Sequence, residues 1–114
     1  MLKSEYRLKD RRDFRRIYQR GKSKAYPYFV MYYFPTREDN FRVGFSISKK
    51  IGNAVTRNRI KRQFREACQY LMIQFNSKYD YIFVVRSSAI YAGYWQILHQ
   101  MEKALNSQKG DKNV

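Results

Sequence analysis

The segment between Lys49 and Ala67 places the tightest constraint on how this chain can fold. From Lys49 to Arg65 it contains seven lysines or arginines and no acidic residue. At about 100° per residue, the apolar residues of this segment and its continuation fall on one helical stripe. That stripe consists of Ile60, Phe64, Ala67, Leu71 and Phe75, with Cys68 at its edge. The sequence therefore predicts a helix from about Ala54 to Gln74 that buries one face and presents cations on the other.

The cationic side of this helix has two interpretations. A solvated surface helix usually mixes the signs of its charges, so that Glu and Lys pair four residues apart. Here Arg57 and Arg65 each stand four residues from Lys61, and such like-charge pairs cost stability unless a polyanion neutralises them. The pattern therefore favours a binding face over a merely solvated one. Its polar and cationic residues are Arg57, Asn58, Arg59, Lys61, Arg62 and Arg65.

The charge of the whole chain points in the same direction. Its 114 residues, the length of one domain, include 24 basic and 9 acidic side chains, for a net charge of +15 and a pI near 10.2. Self-repulsion of this size destabilises a lone compact state, so a polyanionic partner is expected, with nucleic acid as the first candidate. An anionic membrane surface is the second candidate. No apolar run approaches the roughly 18 to 20 residues that a membrane span needs.

The residue types that carry catalysis are nearly missing. Cys68 is the only cysteine and His99 the only histidine, which excludes an internal disulfide and leaves no zinc-type ligand cluster. No Cys–His or Ser–His–Asp site suggests itself either. Cys68 is expected to pack in the core, and His99 to lie at the surface. There is no glycine-rich phosphate loop and no close carboxylate pair. The sequence predicts a binding protein with no catalytic and no metal-binding residues, located in the cytoplasm because no signal peptide is recognisable.

Periodicity along the chain predicts an α-β-β-α-β-α order, which is a small α+β sandwich with helices laid against one sheet. One domain is expected over residues 1–106, and a disordered polar tail over residues 107–114. Ser87 or Ser88 is expected to cap the last helix. The predicted elements are a helix Asp10–Arg20 capped by Asp10, strands Tyr26–Phe34, Phe41–Ser48 and Tyr79–Arg86, the cationic helix, and a helix Ile90–Asn106.

Aromatic side chains form a second notable group. Phe14 and Tyr18 share a face of the first helix, and the first strand carries tyrosines on both faces. Such rings either pack in an ordinary core or form a half-exposed edge on which unpaired bases stack. The residue pattern leaves both interpretations open. Gly44, inside the second strand, indicates a close approach of another group to the backbone.

The run from Arg42 to Glu66 resembles the protein subunit of bacterial ribonuclease P. The signature of that family is an arginine-asparagine-arginine motif, here Arg57-Asn58-Arg59. Three further features agree: Asp13-Phe14 with an aromatic residue four positions on, the strand Tyr28–Tyr32, and a late strand Asp80–Arg86 before the last helix. The resemblance extends over roughly residues 5 to 105.

This resemblance implies both a fold and a function. The family fold is the α-β-β-α-β-α sandwich, with a left-handed β-α-β crossover around the cationic helix. The family protein is a cofactor of a large catalytic RNA, which cleaves precursor tRNA to produce its mature 5′ end. The chemistry belongs to Mg²⁺ ions that are bound mainly by that RNA. The expected partners are therefore the catalytic RNA and precursor tRNA, with no membrane and no obligate protein partner.

The resemblance also assigns residues. Those matching the surface that docks on the catalytic RNA are Lys49, Lys50, Asn53, Arg57, Asn58, Arg59, Lys61, Arg62 and Arg65. Those matching a groove for the single-stranded 5′ leader of precursor tRNA are Phe14, Tyr18 and Tyr32, together with Val85 and Arg86. Two other functions remain open at this point: a structural RNA-binding protein of the ribosome, and a cationic protein of the membrane surface.

Overall fold

A computed structural model describes residues 2–109, which contain three α-helices and a four-stranded sheet. In chain order the elements are α1 Arg11–Arg20, β1 Lys22–Ala25, β2 Phe29–Pro35, β3 Arg42–Ser46, α2 Ala54–Tyr70, β4 Tyr79–Val85 and α3 Tyr94–Lys109. Short 3-10 turns stand at Ser4–Tyr6, Lys49–Ile51, Met72–Gln74 and Ser87–Tyr91. The predicted class, a mixed α+β fold, is confirmed.

The strand order in the sheet is β1-β2-β4-β3, so β4 is an inner strand. It pairs antiparallel with β2 and parallel with β3, and Ile82 lies between Tyr32 on one side and Gly44 on the other. Almost all of β4 is buried, as its apolar sequence predicts for a central strand. Because β3 and β4 are parallel, the chain must cross over through α2 to connect them. The hand of that crossover stays a prediction.

Helices cover both faces of the sheet. Alternate β4 side chains, Tyr81 and Phe83 among them, enter the main core, where α2 and α3 pack on them. The predicted apolar stripes of both helices lie in this core. On the opposite face, Ile82 packs with Ile17 of α1 and with Leu8 in a smaller cluster. The result is three layers, with α1 alone on one side of the sheet.

Cys68 and His99 lie where the sequence predicts. Cys68 is fully buried in the main core, and its Sγ lies 3.6 Å from Sδ of Met101. Burial raises the pKa of the thiol well above its usual value, because the thiolate would lose its hydration. Cys68 is therefore a packing residue with little nucleophilic character. His99 is exposed on α3.

A buried ionic network joins α1 to the sheet, and sequence reasoning did not find it. Arg42 donates to both carboxylate oxygens of Asp80, at 3.1 and 2.8 Å, and Asp80 is fully buried. Asp13 accepts hydrogen bonds from Arg42 (3.2 Å) and from Arg16 (2.8 Å). The hydrogen bonds to Asp80 raise the pKa of Arg42. The signal in the sequence was an acid inside an apolar strand, because a buried carboxylate needs a cationic partner.

The predicted first strand is wrong at its start. Tyr26 and Pro27 lie in the loop of a hairpin, closed by a hydrogen bond from the Tyr26 N–H to the Phe29 carbonyl (2.8 Å). The strand before that loop, β1, is missing from the prediction, so the sheet has four strands where three were expected. All four β1 residues are exposed and only one is apolar. Hydrophobic alternation cannot reveal a strand that buries neither face.

Several predicted ends also differ. The last helix begins at Tyr94 and not at Ile90, and residues 87–91 form a 3-10 turn that no serine side chain caps. α2 ends at Tyr70, four residues before the predicted Gln74. The tail prediction is wrong for residues 107–109, which continue α3, with Gln108 buried where it accepts a hydrogen bond from the Tyr81 hydroxyl (3.0 Å). Residues 110–114, the rest of the predicted tail, lie outside the described residues.

Candidate nucleic-acid interface

The cationic face is built by the way α2 begins and packs. Asn53 caps the helix, because its Oδ1 accepts a hydrogen bond from the Thr56 N–H at 2.9 Å. Ser48 caps the preceding 3-10 turn in the same way. The buried stripe then leaves the cations only the outer side of the helix. Exposed members of the predicted docking set are Lys49, Lys50, Asn53, Asn58, Arg59 and Arg62, and partly buried members are Arg57, Lys61 and Arg65.

A groove runs between this face and the outer edge of β3. One part is bordered by Lys61 and Arg65 of α2, and the next by Arg57, Asn58 and again Lys61. Phe45 and Lys61 line both parts, so the two parts adjoin at these residues. The edge of β3 is only partly covered, through a hydrogen bond from the Leu8 N–H to the Val43 carbonyl (3.0 Å). Basic walls beside an apolar floor suit the backbone and bases of a single strand.

The three predicted groove aromatics come together on the α1 side of the sheet. The rings of Tyr18 and Tyr32 meet edge to face with their centroids 5.0 Å apart, and Phe14 lies 6.3 Å from Tyr18. Tyr18 is 38% exposed, while Phe14 and Tyr32 are half-buried. We call Phe14, Tyr18 and Tyr32 the aromatic surface. The structure thus combines the two sequence interpretations, since these rings pack on one another and remain partly open to solvent.

Phe14 connects the aromatic surface to the groove. Its ring lies directly on Gly44 of β3, where a Cβ atom would overlap the ring. The close approach that the sequence indicated at Gly44 is therefore confirmed. Phe14 and Gly44 also line the part of the groove that Lys61 and Arg65 border. The aromatic surface and the cationic face consequently meet at β3.

The prediction that Val85 lines the leader groove is wrong. Val85 is only 5% exposed and belongs to the main core, on the face of the sheet opposite α1. Its neighbour Val84 packs beside Tyr32, because successive strand residues point to opposite faces. Arg86 is exposed at the end of β4, where its guanidinium donates to the Tyr26 carbonyl at 3.0 Å. The hairpin loop therefore holds the Arg86 guanidinium, and its role in the leader groove stays a prediction.

The arginine-asparagine-arginine motif spreads around the helix. Arg57 faces the groove at β3. Arg59 points to the 87–91 turn, and its Nη2 donates to the Ile90 carbonyl at 3.1 Å. Asn58 lies between them and borders both the groove and a shallow depression that contains Arg59 and Arg62. The motif therefore presents cations along two sides of α2.

Residues 2–109 contain neither a metal-ligand cluster nor a membrane-spanning helix. No group of three or more His, Cys, Asp or Glu side chains is arranged there to hold a metal ion. In the same part of the chain, no helix has the length and apolar character needed to cross a bilayer.

Comparison with known proteins decides the family. The model of the family described as Ribonuclease P matches residues 2–109. This chain belongs to the Ribonuclease P family. A ribonuclease P protein component from Listeria innocua is 42% identical over 105 residues, covering 91% of this chain and 85% of the relative.

Solved structures of ribonuclease P proteins agree with this assignment. The protein from Staphylococcus aureus is 40% identical, with a TM-score of 0.83 over 91% of this chain and 95% of that one. The protein from Thermotoga maritima is 28% identical, with a TM-score of 0.81 over 89% of this chain and 96% of that one. Membership in the Ribonuclease P family makes this chain a protein subunit of a ribonuclease of tRNA processing, and not a structural protein of the ribosome.

Proposed function

We propose that this chain is the protein cofactor of a ribonuclease P whose catalytic centre lies in a partner RNA. It binds that RNA and the single-stranded 5′ leader of precursor tRNA, and it acts in the cytoplasm. The observation that carries the proposal is the meeting of the cationic face and the aromatic surface at Gly44 and Phe45 of β3. One surface suits a folded polyanion, and the other suits unpaired bases.

In this proposal, Mg²⁺ belongs mainly to the RNA. The acids of this chain do not form a ligand cluster within residues 2–109, and the buried Asp80 and the partly buried Asp13 are already used in ion pairs. Asp80 pairs with Arg42, and Asp13 pairs with both Arg42 and Arg16. Mg²⁺ requires carboxylate, carbonyl or phosphate oxygens, which an RNA supplies in abundance. The chemistry of phosphodiester cleavage is therefore assigned to RNA-bound Mg²⁺, and this chain positions the two RNAs.

The cationic face would dock on the catalytic RNA through its phosphates. Each phosphate that Lys or Arg neutralises releases condensed counterions, which gives affinity that falls steeply with salt. Lys49 and Lys50 extend the face beyond the start of α2, and the Asn53 side-chain amide can donate while its oxygen caps the helix. The same cations screen the repulsion between ribozyme and substrate, so less Mg²⁺ is needed for cleavage.

The aromatic surface would hold the 5′ leader. Stacking of a base on an aromatic side chain contributes about 1 to 3 kcal/mol and tolerates any sequence. Only precursor tRNA carries this single strand, so stacking favours substrate over product. Phe14, Tyr18 and Tyr32 are the rings assigned to it, with the groove along β3 leading from them to the cationic face.

The test is cleavage of precursor tRNA by a transcribed bacterial ribonuclease P RNA at low Mg²⁺, with and without this protein. Addition of the protein is expected to restore correct 5′ cleavage. The Arg59→Ala/Arg62→Ala variant is expected to lose that effect, and the log–log salt slope of RNA binding should fall by about one for each lost phosphate contact. Lys78→Ala/Lys103→Ala is the matched control, because it removes the same charge from exposed positions outside α2.

Three outcomes would contradict the proposal. Tight but general RNA binding without restored cleavage would favour a purely structural RNA-binding role. Equal losses for the α2 variant and the matched control would show that net charge, and not a docking face, governs binding. A stronger preference for anionic liposomes than for RNA would instead support the membrane-surface alternative.

A further inference from the structure

Aromatic side chains are exposed where α2 meets the 87–91 turn and the start of α3. Tyr91 is 89% exposed and Trp95 is 63% exposed. The Trp95 ring lies edge to face with that of Tyr94, with their centroids 5.1 Å apart. Two large aromatic side chains that lie close together in the sequence and are both exposed to solvent are unusual for a surface without a partner. The leader-binding role proposed above uses neither of them.

A row of cations lies next to the turn that carries Tyr91. Arg59 reaches the turn itself, because its Nη2 donates a hydrogen bond to the carbonyl of Ile90. Ile90 directly precedes Tyr91 in the chain. Arg62 lies beside Arg59 in the same shallow depression, which Val55 and Asn58 complete. The positions of Val55, Arg59 and Arg62 are four and then three residues apart, so they share one side of α2. The chain therefore places a cationic row directly beside the turn that carries Tyr91, four residues before Trp95.

An acidic residue on α2 limits how a partner can lie on this surface. Glu66, the one acidic residue of α2, stands one turn beyond Arg62. A polyanionic backbone is thus favoured at Arg59 and Arg62 and opposed further along the helix. Bases attached to a backbone held at Arg59 can reach the turn that carries Tyr91.

We propose that Tyr91 and Trp95 are a stacking platform for unpaired bases of the partner catalytic RNA, whose backbone lies along Arg59 and Arg62. This inference rests on the proposed function, which gives the α2 face to that RNA. It adds base stacking to a contact that otherwise consists of protein cations and RNA phosphates. Every base has a π face, so the platform requires an unpaired segment and no particular sequence.

The charge of the surface favours RNA over a second copy of this chain. A two-fold interface would bring the same arginine row of both copies together, in a protein with a net charge of +15. The core of a protein interface is also depleted in charge, whereas Arg59 is bonded to the turn that carries Tyr91 and Arg62 lies beside Arg59. A cationic row beside aromatic rings matches the combination that binds single-stranded nucleic acid.

The chain offers its own probe, because Trp95 is its only tryptophan. Titration with the transcribed catalytic RNA is expected to quench Trp95 fluorescence, with saturation at the concentration where binding saturates. Tyr91→Ala/Trp95→Ala is expected to weaken binding about tenfold or more. Its salt slope should equal that of the wild type, since no phosphate contact is lost. Trp95→Phe retains a ring and should retain most of the affinity.

Ile73→Ala is the matched control for removal of an exposed apolar side chain. Ile73 is 97% exposed in the turn after α2, outside the aromatic and cationic surface, so its loss should leave RNA binding unchanged. Three results would each overturn the inference. The first is that the double variant keeps its affinity and the catalytic RNA does not quench Trp95 of the wild type. The second is that a leader oligonucleotide quenches Trp95 and the catalytic RNA does not. The third is that the wild type self-associates and the double variant does not.

Failure of this inference can be separated from failure of the proposed function. If the wild-type protein does not restore precursor cleavage, the proposed function is wrong. If it does, and Tyr91→Ala/Trp95→Ala binds the RNA and restores cleavage equally well, only the stacking platform is wrong.

Discussion

The missing side chain of Gly44 allows the ring of Phe14 to lie against β3. Gly21 acts in a similar way at the end of α1, where a Cβ would stand 2.6 Å from the Ile17 carbonyl oxygen. Its φ of −74° is available to any residue, so close packing and not a left-handed backbone requires glycine there. At the residue scale, the position of the Phe14 ring in the aromatic surface therefore depends on the absence of a side chain at Gly44.

Gly44→Ala is expected to destabilise the protein by about 1 to 3 kcal/mol, because the added methyl group forces the Phe14 ring to move. In a Phe14→Ala background the same change should cost much less, since the ring is gone. Urea unfolding of the wild type, both single variants and the double variant measures the coupling between the two positions. Additive effects would show that the ring does not rest on Gly44.

At the scale of elements, α2 serves stability and binding with different sides. Its buried stripe packs against β4 and α3, and its outer side carries the cations. Asn53 belongs to both functions. The family resemblance assigned it to RNA binding, and the structure adds that it caps the helix through the Thr56 N–H. A substitution at this residue therefore affects two properties, which suitable variants can separate.

Asn53→Ala removes the cap and is expected to cost about 1 kcal/mol of stability. Asn53→Asp keeps a capping oxygen and places a negative charge at the helix N-terminus, so stability should be equal or higher. RNA affinity should fall in both variants, and further in Asn53→Asp, because that variant adds an anion to the cationic face. Thermal unfolding and RNA titration at one salt concentration provide the two measurements. Wild-type RNA affinity of Asn53→Asp would remove Asn53 from the docking face and leave its capping role intact.

At the scale of the whole molecule, the three layers decide how two binding surfaces are combined. α1 and α2 cover opposite faces of the sheet, yet both border β3. The ionic network of Asp13, Arg42 and Asp80 fixes α1 to β3 and β4 and thereby fixes the aromatic surface relative to the cationic face. The spacing between the two surfaces is thus a property of the folded chain and of no single element.

Phe14→Ala/Tyr32→Ala is expected to reduce affinity for leader-bearing precursor tRNA more than affinity for mature tRNA. The reason is that only the precursor carries unpaired bases for the aromatic surface. The salt slope of precursor binding should stay at the wild-type value, because this variant loses no phosphate contact. Binding of both tRNAs in the holoenzyme across a range of salt concentrations tests these expectations, with mature tRNA as the internal control. Equal losses for the two RNAs would exclude a leader groove at this surface.

The sequence by itself determined the features that depend on local periodicity and local hydrogen bonds. The buried stripe of α2, the inner position of β4 and the Asp10 cap of α1 were all readable in advance. The cap is local, since the Asp10 carboxylate accepts from the Arg12 N–H at 2.8 Å, a bond that lowers its pKa. A helix or strand that buries one face must repeat its apolar residues at the period of its backbone. A single chain segment therefore contains the whole signal.

Only the tertiary structure decided which segments meet. β1 buries neither face and exists because it pairs with β2, and Val85 faces the main core because of its register in the sheet. Asp80 found its partner 38 residues away in sequence, at Arg42. The nearness of Tyr91 to Arg59 likewise depends on how the 87–91 turn packs on α2. Pairing and packing of this kind depend on distances between residues far apart along the chain, which local periodicity does not encode.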